Sequence, residues 1–253
     1  MNYTLITGAS AGIGEVFANQ LAQQGQNLIL TARRKEKLDQ LATKLQQAFS
    51  IKVETISADL ASPEGSKLLA DTILEKGWQV NGLINNAGFG DRGQFTELSL
   101  ERQLQMIQVN VTSLVDLTHR LLPLIRKQQQ AYIINVASTA AFQAGPNMAI
   151  YYASKAFVLS FSEALHEELK KDGISVSTLC PGATLSEFAT EANMTDTKLF
   201  KAGAMTAESV VKKALRKKQK AIVITGWKNI FGVWSGKLSP RCVSRKLAGW
   251  LQA

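Results

Sequence analysis

The chain has 253 residues, 45% hydrophobic and 7% aromatic, which suits one sizeable core and argues against disorder. Its net charge of +9 is uneven: residues 1–200 carry 17 Lys and Arg against 19 Asp and Glu, while residues 201–253 carry 12 against the single acid Glu208. That distribution disfavours a uniformly basic nucleic-acid binder, and no apolar run approaches the roughly 18 residues of a membrane-spanning helix. The N-terminus shows no basic stretch followed by an apolar run, so no signal peptide is expected. Two cysteines far apart in sequence, Cys180 and Cys242, suggest a reduced, cytoplasmic setting.

Short β-rich runs alternate with helical stretches along the chain. A strand over 3–7 (YTLIT) precedes a helical stretch over 15–24, where Val16, Ala18, Leu21 and Ala22 share a face. Strands follow over 27–32, 52–58 and 82–87. Residues 99–127 are helical in pattern, with Leu100, Leu104, Ile107, Val111, Leu114 and Leu121 on one face. Further strands are predicted over 132–138, 174–180 and 221–225. The runs are mostly apolar without strict alternation, as strands covered on both faces are. This order predicts an α/β protein, a doubly wound parallel sheet of the Rossmann type with about seven strands and helices on both faces. No linker or repeat interrupts it, so residues 1–253 are expected to form one domain.

The first strand runs into TGASAGIG (7–14). Gly8 can take up a tight turn, Gly12 lets backbone amides approach a pyrophosphate, and Gly14 lets the following helix pack closely. After the second strand the positions read Thr31, Ala32, Arg33, Arg34, with no acid to bind a ribose 2′-hydroxyl. An arginine there pairs with a 2′-phosphate, so NADP(H) is predicted over NAD(H), with Arg33 the stronger candidate because it lies nearer the strand end.

With these residues, the chain resembles the short-chain dehydrogenase/reductase family along nearly its whole length. TGASAGIG matches the family's cofactor turn, NNAG (85–88) its fourth-strand motif and YYASK (151–155) its active-site motif. Ser138 lies where the family's catalytic serine does, and Asn110 matches its structural and catalytic asparagine. Asp59–Leu60 matches the pair beside the adenine. PG (181–182) with Thr184 matches the turn that meets the nicotinamide carboxamide. The resemblance thus implies coenzyme contacts from Gly8, Ser10, Gly12, Ile13, Gly14, Arg33, Asp59, Leu60, Asn86, Ala87, Gly88, Tyr151, Lys155, Pro181, Gly182 and Thr184. Where family members often read PG-x-x-x-Thr, this chain has Ser186, which keeps a hydroxyl. From Trp227 onward the chain is more loosely similar to a subgroup of ketone and acyl-ketone reductases. Family members are commonly dimers or tetramers, so a homo-oligomer is expected.

Tyr151 and Lys155 stand at i and i+4 on one helix face, where their side chains can meet. A free phenol has a pKa near about 10; a nearby ammonium favours the phenolate, and an oxidised nicotinamide ring adds to the effect. Tyr151 is then expected to be the acid in carbonyl reduction and the base in alcohol oxidation. Lys155 is its tuner and ribose anchor, Ser138 the binder of the substrate oxygen and Asn110 a water relay. Tyr152 has the wrong spacing and reads as a packing residue, while Asn85 and Asn86 can tie strands together. His119 and His166 have no partner motif. No metal-ligand spacing occurs, and a hydrolase triad is not expected.

The long segment 183–206 contains Leu185, Phe188, Met194, Leu199, Phe200 and Met205 and reads as a substrate lid, suggesting a medium-sized hydrophobic carbonyl or alcohol. In the basic C-terminal part (209–253), Val210, Val211, Ala214 and Leu215 share one helix side. Trp227, Phe231 and Trp234 follow, and Val243, Leu247, Trp250 and Leu251 repeat the pattern. Such faces cover a core or subunit interface, or rest on an anionic membrane or an acidic carrier-linked substrate. The alternatives to a carbonyl reductase are an NADP(H)-binding regulatory protein without turnover, and an isomerase or dehydratase on the same fold.

Overall fold

The computed structural model describes residues 1–201 and 203–252; Ala202 and Ala253 lie outside the described residues, as does the side chain of Leu199. In chain order the elements are β1 (Asn2–Thr7), α1 (Gly12–Gln23), β2 (Asn27–Ala32), α2 (Lys35–Phe49), β3 (Val53–Ser57), α3 (Gly65–Glu75) and β4 (Gln79–Asn85). Then come α4 (Leu100–Ile107), a wide π turn (Gln108–Thr112), α5 (Ser113–Ile125), β5 (Tyr132–Val136), α6 (Ala149–Glu168) and β6 (Ser175–Cys180). The remainder comprises β7 (Thr184–Leu185), α7 (Glu187–Glu191), α8 (Lys198–Lys201), β8 (Met205–Thr206), α9 (Ala207–Arg216), β9 (Ile222–Ile224), α10 (Trp227–Leu238) and α11 (Arg241–Gln252).

Seven strands form one parallel sheet in the order β3-β2-β1-β4-β5-β6-β9, so the chain winds outward from β1 in one direction and from β4 in the other. That reversal opens a crevice at the carboxyl ends of β1 and β4, where a doubly wound sheet binds its ligand. Two apolar layers, one on each sheet face, account for the near-continuous apolar strands. Phe17, Leu21, Leu38, Leu45, Val210 and Val211 lie on one side, and Leu69, Ile73, Leu117, Leu121 and Ile125 on the other.

All seven expected strands form, with shifted ends. The fourth starts at Gln79 and stops at Asn85, and the fifth stops at Val136, which leaves Ser138 in the loop that follows. The expected continuous face over 99–127 divides. Leu114 and Leu121 are buried, but Leu100 is 66% and Leu104 55% exposed. The π turn breaks the helical register between the two halves, so Leu100 and Leu104 face outward while Gln103 and Met106 of α4 are buried instead. On α9, Val210, Val211 and Ala214 are buried, so this basic helix covers the core. The helices after it differ. Trp227, Phe231, Trp234, Val243, Leu247 and Trp250 are each more than half exposed. Among the described residues no helix is long and apolar enough to cross a membrane, and no group of potential metal ligands forms.

Candidate active site

β1 ends against a turn that only glycine fits at two points. Gly8 and Gly12 adopt φ of +66° and +57°, a region costly for side chains. A Cβ on Gly14 would overlap the Gly8 carbonyl oxygen, so α1 can approach the strand only at a glycine. The α1 N-terminus has no side-chain cap, which leaves its first amides available to an anion. The turn is held from β4: Asn86 Nδ2 donates to the Thr7 and Gly8 carbonyls at 2.9 and 3.2 Å. The Asn86 and Ala87 amides donate to Thr7 Oγ1 at 3.0 and 2.9 Å. Thr7 thus anchors the NNAG loop, a role that strand position alone does not reveal. Asn85 ties α5 and β5 through Thr118 and Asn135, each at 2.9 Å.

A cleft of about 330 Å³ runs from this turn along the carboxyl ends of the strands. At one end it is lined by Ser10, Arg33, Arg34, Asp59 and Leu60. Arg34 makes the contacts here. Its Nη2 donates to Ser10 Oγ at 3.0 Å and to the Ser10 carbonyl at 3.3 Å. Arg33 lines the same cleft but is exposed. Ser113 Oγ donates to the Leu60 carbonyl at 2.7 Å and fixes the Asp59–Leu60 loop.

The other end holds Ser138, Tyr151, Lys155, Gly182 and Thr184. One face of α6 carries Tyr151 and Lys155, 7% and 5% exposed, with the Lys155 amine 5.8 Å from the centre of the Tyr151 ring. Lys155 Nζ donates to the Val136 carbonyl at 2.8 Å. Ser138 accepts from the Ala140 amide at 3.1 Å and donates to the Pro181 carbonyl at 3.4 Å, which joins the fifth-strand loop to the PG turn. On α10, Asn229 backs that turn so closely that a Cβ on Gly182 would overlap its side chain. Nothing in the sequence singles out Asn229.

Asn110 lies in the π turn, 1% exposed. Its Nδ2 donates to the Phe89 carbonyl at 3.0 Å and to Ser154 Oγ at 3.1 Å, and its Oδ1 accepts from the Phe89 amide at 3.1 Å. The side chain therefore pins the loop after β4 to α6. Tyr152 packs below the site, where its hydroxyl accepts from Gln252 Nε2 at 2.7 Å. His166 Nδ1 lies 2.6 Å from the Val176 carbonyl, away from the cleft.

The electrostatics correct one expectation. Burial pushes the Tyr151 phenol up from its ordinary value, with the Ser138 hydroxyl pulling the other way. Burial also pushes the Lys155 amine down, to about 8. Desolvation wins because both groups are enclosed and the lysine hydrogen bond goes to Val136, not to the phenol. At neutral pH this leaves a neutral phenol, a proton donor, beside an amine that is still mostly charged.

The wall around Tyr151 is apolar. Phe188 of α7 stacks obliquely on its ring at 5.5 Å, and Met106, Met148, Met194, Phe89 and Phe200 join the cluster. Leu251 and Gln252 of α11 complete the lining. Arg92 holds this arrangement by donating to the Gln252 carbonyl at 2.8 Å and the Asn193 carbonyl at 2.6 Å, and by pairing with Asp196 at 2.8 Å. The C-terminal helix thus closes the cleft, which its amphipathic pattern did not foretell.

A glycine cradle with free helix amides at one end and a buried Tyr–Lys–Ser group at the other defines a dinucleotide-dependent oxidoreductase site, and a nicotinamide dinucleotide fits these residues. The short chain dehydrogenase family model matches residues 2–197. The sulfoacetaldehyde reductase 2 of Chromohalobacter salexigens is 37% identical over 186 residues, 73% of each chain. A short-chain dehydrogenase from Sphingobium yanoikuyae, solved in complex with NADPH, superposes with a TM-score of 0.82 at 32% identity over 93% of this chain and 94% of that one. A 7β-hydroxysteroid dehydrogenase superposes with a TM-score of 0.88 at 25% identity, over 98% and 96%. The chain belongs to the short-chain dehydrogenase family of nicotinamide-dependent oxidoreductases.

Proposed function

We propose that this protein is an NADP(H)-dependent reductase of a medium-sized, hydrophobic carbonyl compound, the reverse alcohol oxidation using the same groups. The observation that carries this reading is the meeting of Tyr151, Lys155 and Ser138 at the end of the cleft that begins at the glycine turn. A bound nicotinamide supplies or takes up the hydride. The turn Gly8–Ser10–Gly12–Ile13–Gly14 would hold its pyrophosphate, with Asp59 and Leu60 beside the adenine and Asn86, Ala87 and Gly88 along the ribose. Pro181, Gly182 and Thr184 would meet the carboxamide. Arg34, already directed onto Ser10, would meet a 2′-phosphate with Arg33 beside it.

In this reading Ser138 Oγ orients the substrate oxygen, and the neutral Tyr151 phenol gives it a proton as negative charge develops. Charged Lys155 stabilises the phenolate left behind and holds the ribose. Asn110 positions the loop that carries Phe89. The segment 183–206 acts as the lid. Its Phe188, Met194 and Phe200 favour a bulky apolar substrate such as the steroid alcohol named for the 7β-hydroxysteroid dehydrogenase, over the small anionic aldehyde of the Chromohalobacter relative. Incubation with NADPH and a panel of ketones of increasing size, followed by loss of NADPH absorbance, tests the reading. Turnover should rise with apolar bulk. NADPH binding without turnover of any ketone would instead favour the regulatory alternative.

The basic C-terminal part supports a peripheral contact with an anionic membrane surface. Trp227, Phe231, Trp234 and Leu238 recur every three or four residues on α10, 58% to 84% exposed, and Val243, Leu247 and Trp250 do so on α11. Residues 201–253 carry a single acid among 12 basic residues, so two copies of this face would repel each other whereas anionic headgroups would not. The protein should co-sediment with phosphatidylserine vesicles at low salt, weakly with phosphatidylcholine, and be released from both by high salt. Absence from anionic vesicles at low salt removes the membrane reading and leaves an acidic carrier or a second copy. A homo-oligomer is proposed from the family resemblance, with Leu100 and Leu104 of α4 and Phe157 of α6 as exposed apolar surface for it.

A further inference from the structure

No acid stands at the end of the second strand, where the chain reads Thr31, Ala32, Arg33, Arg34, and that absence is the argument for a 2′-phosphate. The folded chain brings one there from the other end of the molecule. Glu187, the first residue of α7, pairs with Arg34 Nη2 at 2.8 Å and with Lys37 Nζ at 3.0 Å. The same Arg34 nitrogen donates to Ser10 Oγ at 3.0 Å, so one guanidinium serves both the glycine turn and the carboxylate. All three charged side chains stay open to solvent, 42% to 47% exposed, and Arg34 and Glu187 line the cleft beside Ser10. Hydrogen bonds from Arg34 and Lys37 hold the Glu187 carboxyl below its ordinary range, so it is charged at neutral pH.

A carboxylate at this position has two consequences for a dinucleotide. It competes with a 2′-phosphate for Arg34, because two anions cannot share the guanidinium without repulsion. It is also an acceptor of the kind that a ribose 2′-hydroxyl needs. Resting on the NADP(H) reading above, we propose that Glu187 sets the coenzyme preference: it weakens the hold on NADPH and lets the site accept NADH, so that the enzyme discriminates only modestly between the two.

The test measures dissociation constants for NADPH and NADH, by quenching of tryptophan fluorescence at one ionic strength, for the wild type, Glu187→Gln and Glu187→Ala. Both variants should bind NADPH about 5- to 20-fold more tightly and NADH no more tightly than the wild type, raising the preference at least fivefold. If Glu187 only straps α7 to α2, its loss weakens both coenzymes alike and the ratio stays put; that result overturns the proposal. Weaker NADPH binding with unchanged NADH binding overturns it too. Arg34→Ala separates the two layers of the argument. It should remove the preference for NADPH, and if it leaves that preference intact in a wild type that binds NADPH well, the assignment of Arg34 and Glu187 fails while the oxidoreductase reading stands. A wild type that binds neither coenzyme sinks both.

Discussion

Tyr151→Phe should lower kcat for ketone reduction by about 10²- to 10⁴-fold, the range that a positioned general acid contributes. The substitution removes one hydroxyl and keeps the ring that packs against Phe188 at 5.5 Å and Tyr152 at 6.1 Å. Ser138 retains its bonds to Ala140 and Pro181, so no buried polar group is left without a partner there. Stability and coenzyme affinity should therefore stay close to those of the wild type. Steady-state kinetics beside a fluorescence titration with NADPH separate these effects. A variant that reduces ketones at near wild-type rate would refute the assignment of the proton donor.

Lys155→Met should lower turnover by a similar factor, about 10²-fold or more, while keeping stability at pH 7 at least that of the wild type. The amine is enclosed, and burial lowers its pKa from 10.5 to about 8. Below about pH 8 the native protein carries a charge that the fold disfavours, at a cost on the order of 3 kcal/mol by linkage. Between about pH 8 and 10.5 the unfolded chain binds the extra proton, so wild-type stability rises with pH relative to the variant. Methionine fills similar space without the charge, although the Val136 carbonyl loses its donor, which costs about 1–3 kcal/mol. The variant should thus be at least as stable as the wild type at pH 7 and lose that standing at pH 10. Urea titrations at the two pH values check this; a Met variant several kcal/mol weaker at pH 7 would mean the amine is not a buried cost.

The Lys155 result bears on how the site works. The i,i+4 spacing led to the expectation of a phenol tuned downward by its neighbour. Enclosure reverses the direction for the bare site, because removal from water penalises both charged forms more than a partner 5.8 Å from the ring centre relieves them. The protein alone therefore keeps Tyr151 as a neutral phenol at neutral pH.

Much of the sheet and of the site was legible in the chain because short-range chemistry specifies them. Apolar runs of strand length identify β1 to β6 and β9, Gly8, Gly12 and Gly14 are required by a turn with positive φ and a close helix, and one helical turn places Tyr151 over Lys155. Contacts across long sequence distances were not legible. Periodicity cannot say that the π turn at Asn110 turns Leu100 and Leu104 outward and buries Met106 instead, that Asn229 supports Gly182, or that Arg92 draws Gln252 into the wall of the cleft.

What the sequence determined by itself is the doubly wound order, the glycine turn and the Tyr151–Lys155 pair, since each follows from local propensity or fixed spacing, while Ser138 joined them through the family resemblance. What only the tertiary structure decided is the environment of those groups: the dryness that shifts Tyr151 and Lys155, and the carboxylate of Glu187 set against Arg34 at a sequence separation of 153 positions. The physical reason is that burial and long-range charge pairing depend on how separate elements pack, and no window of neighbouring residues contains that information.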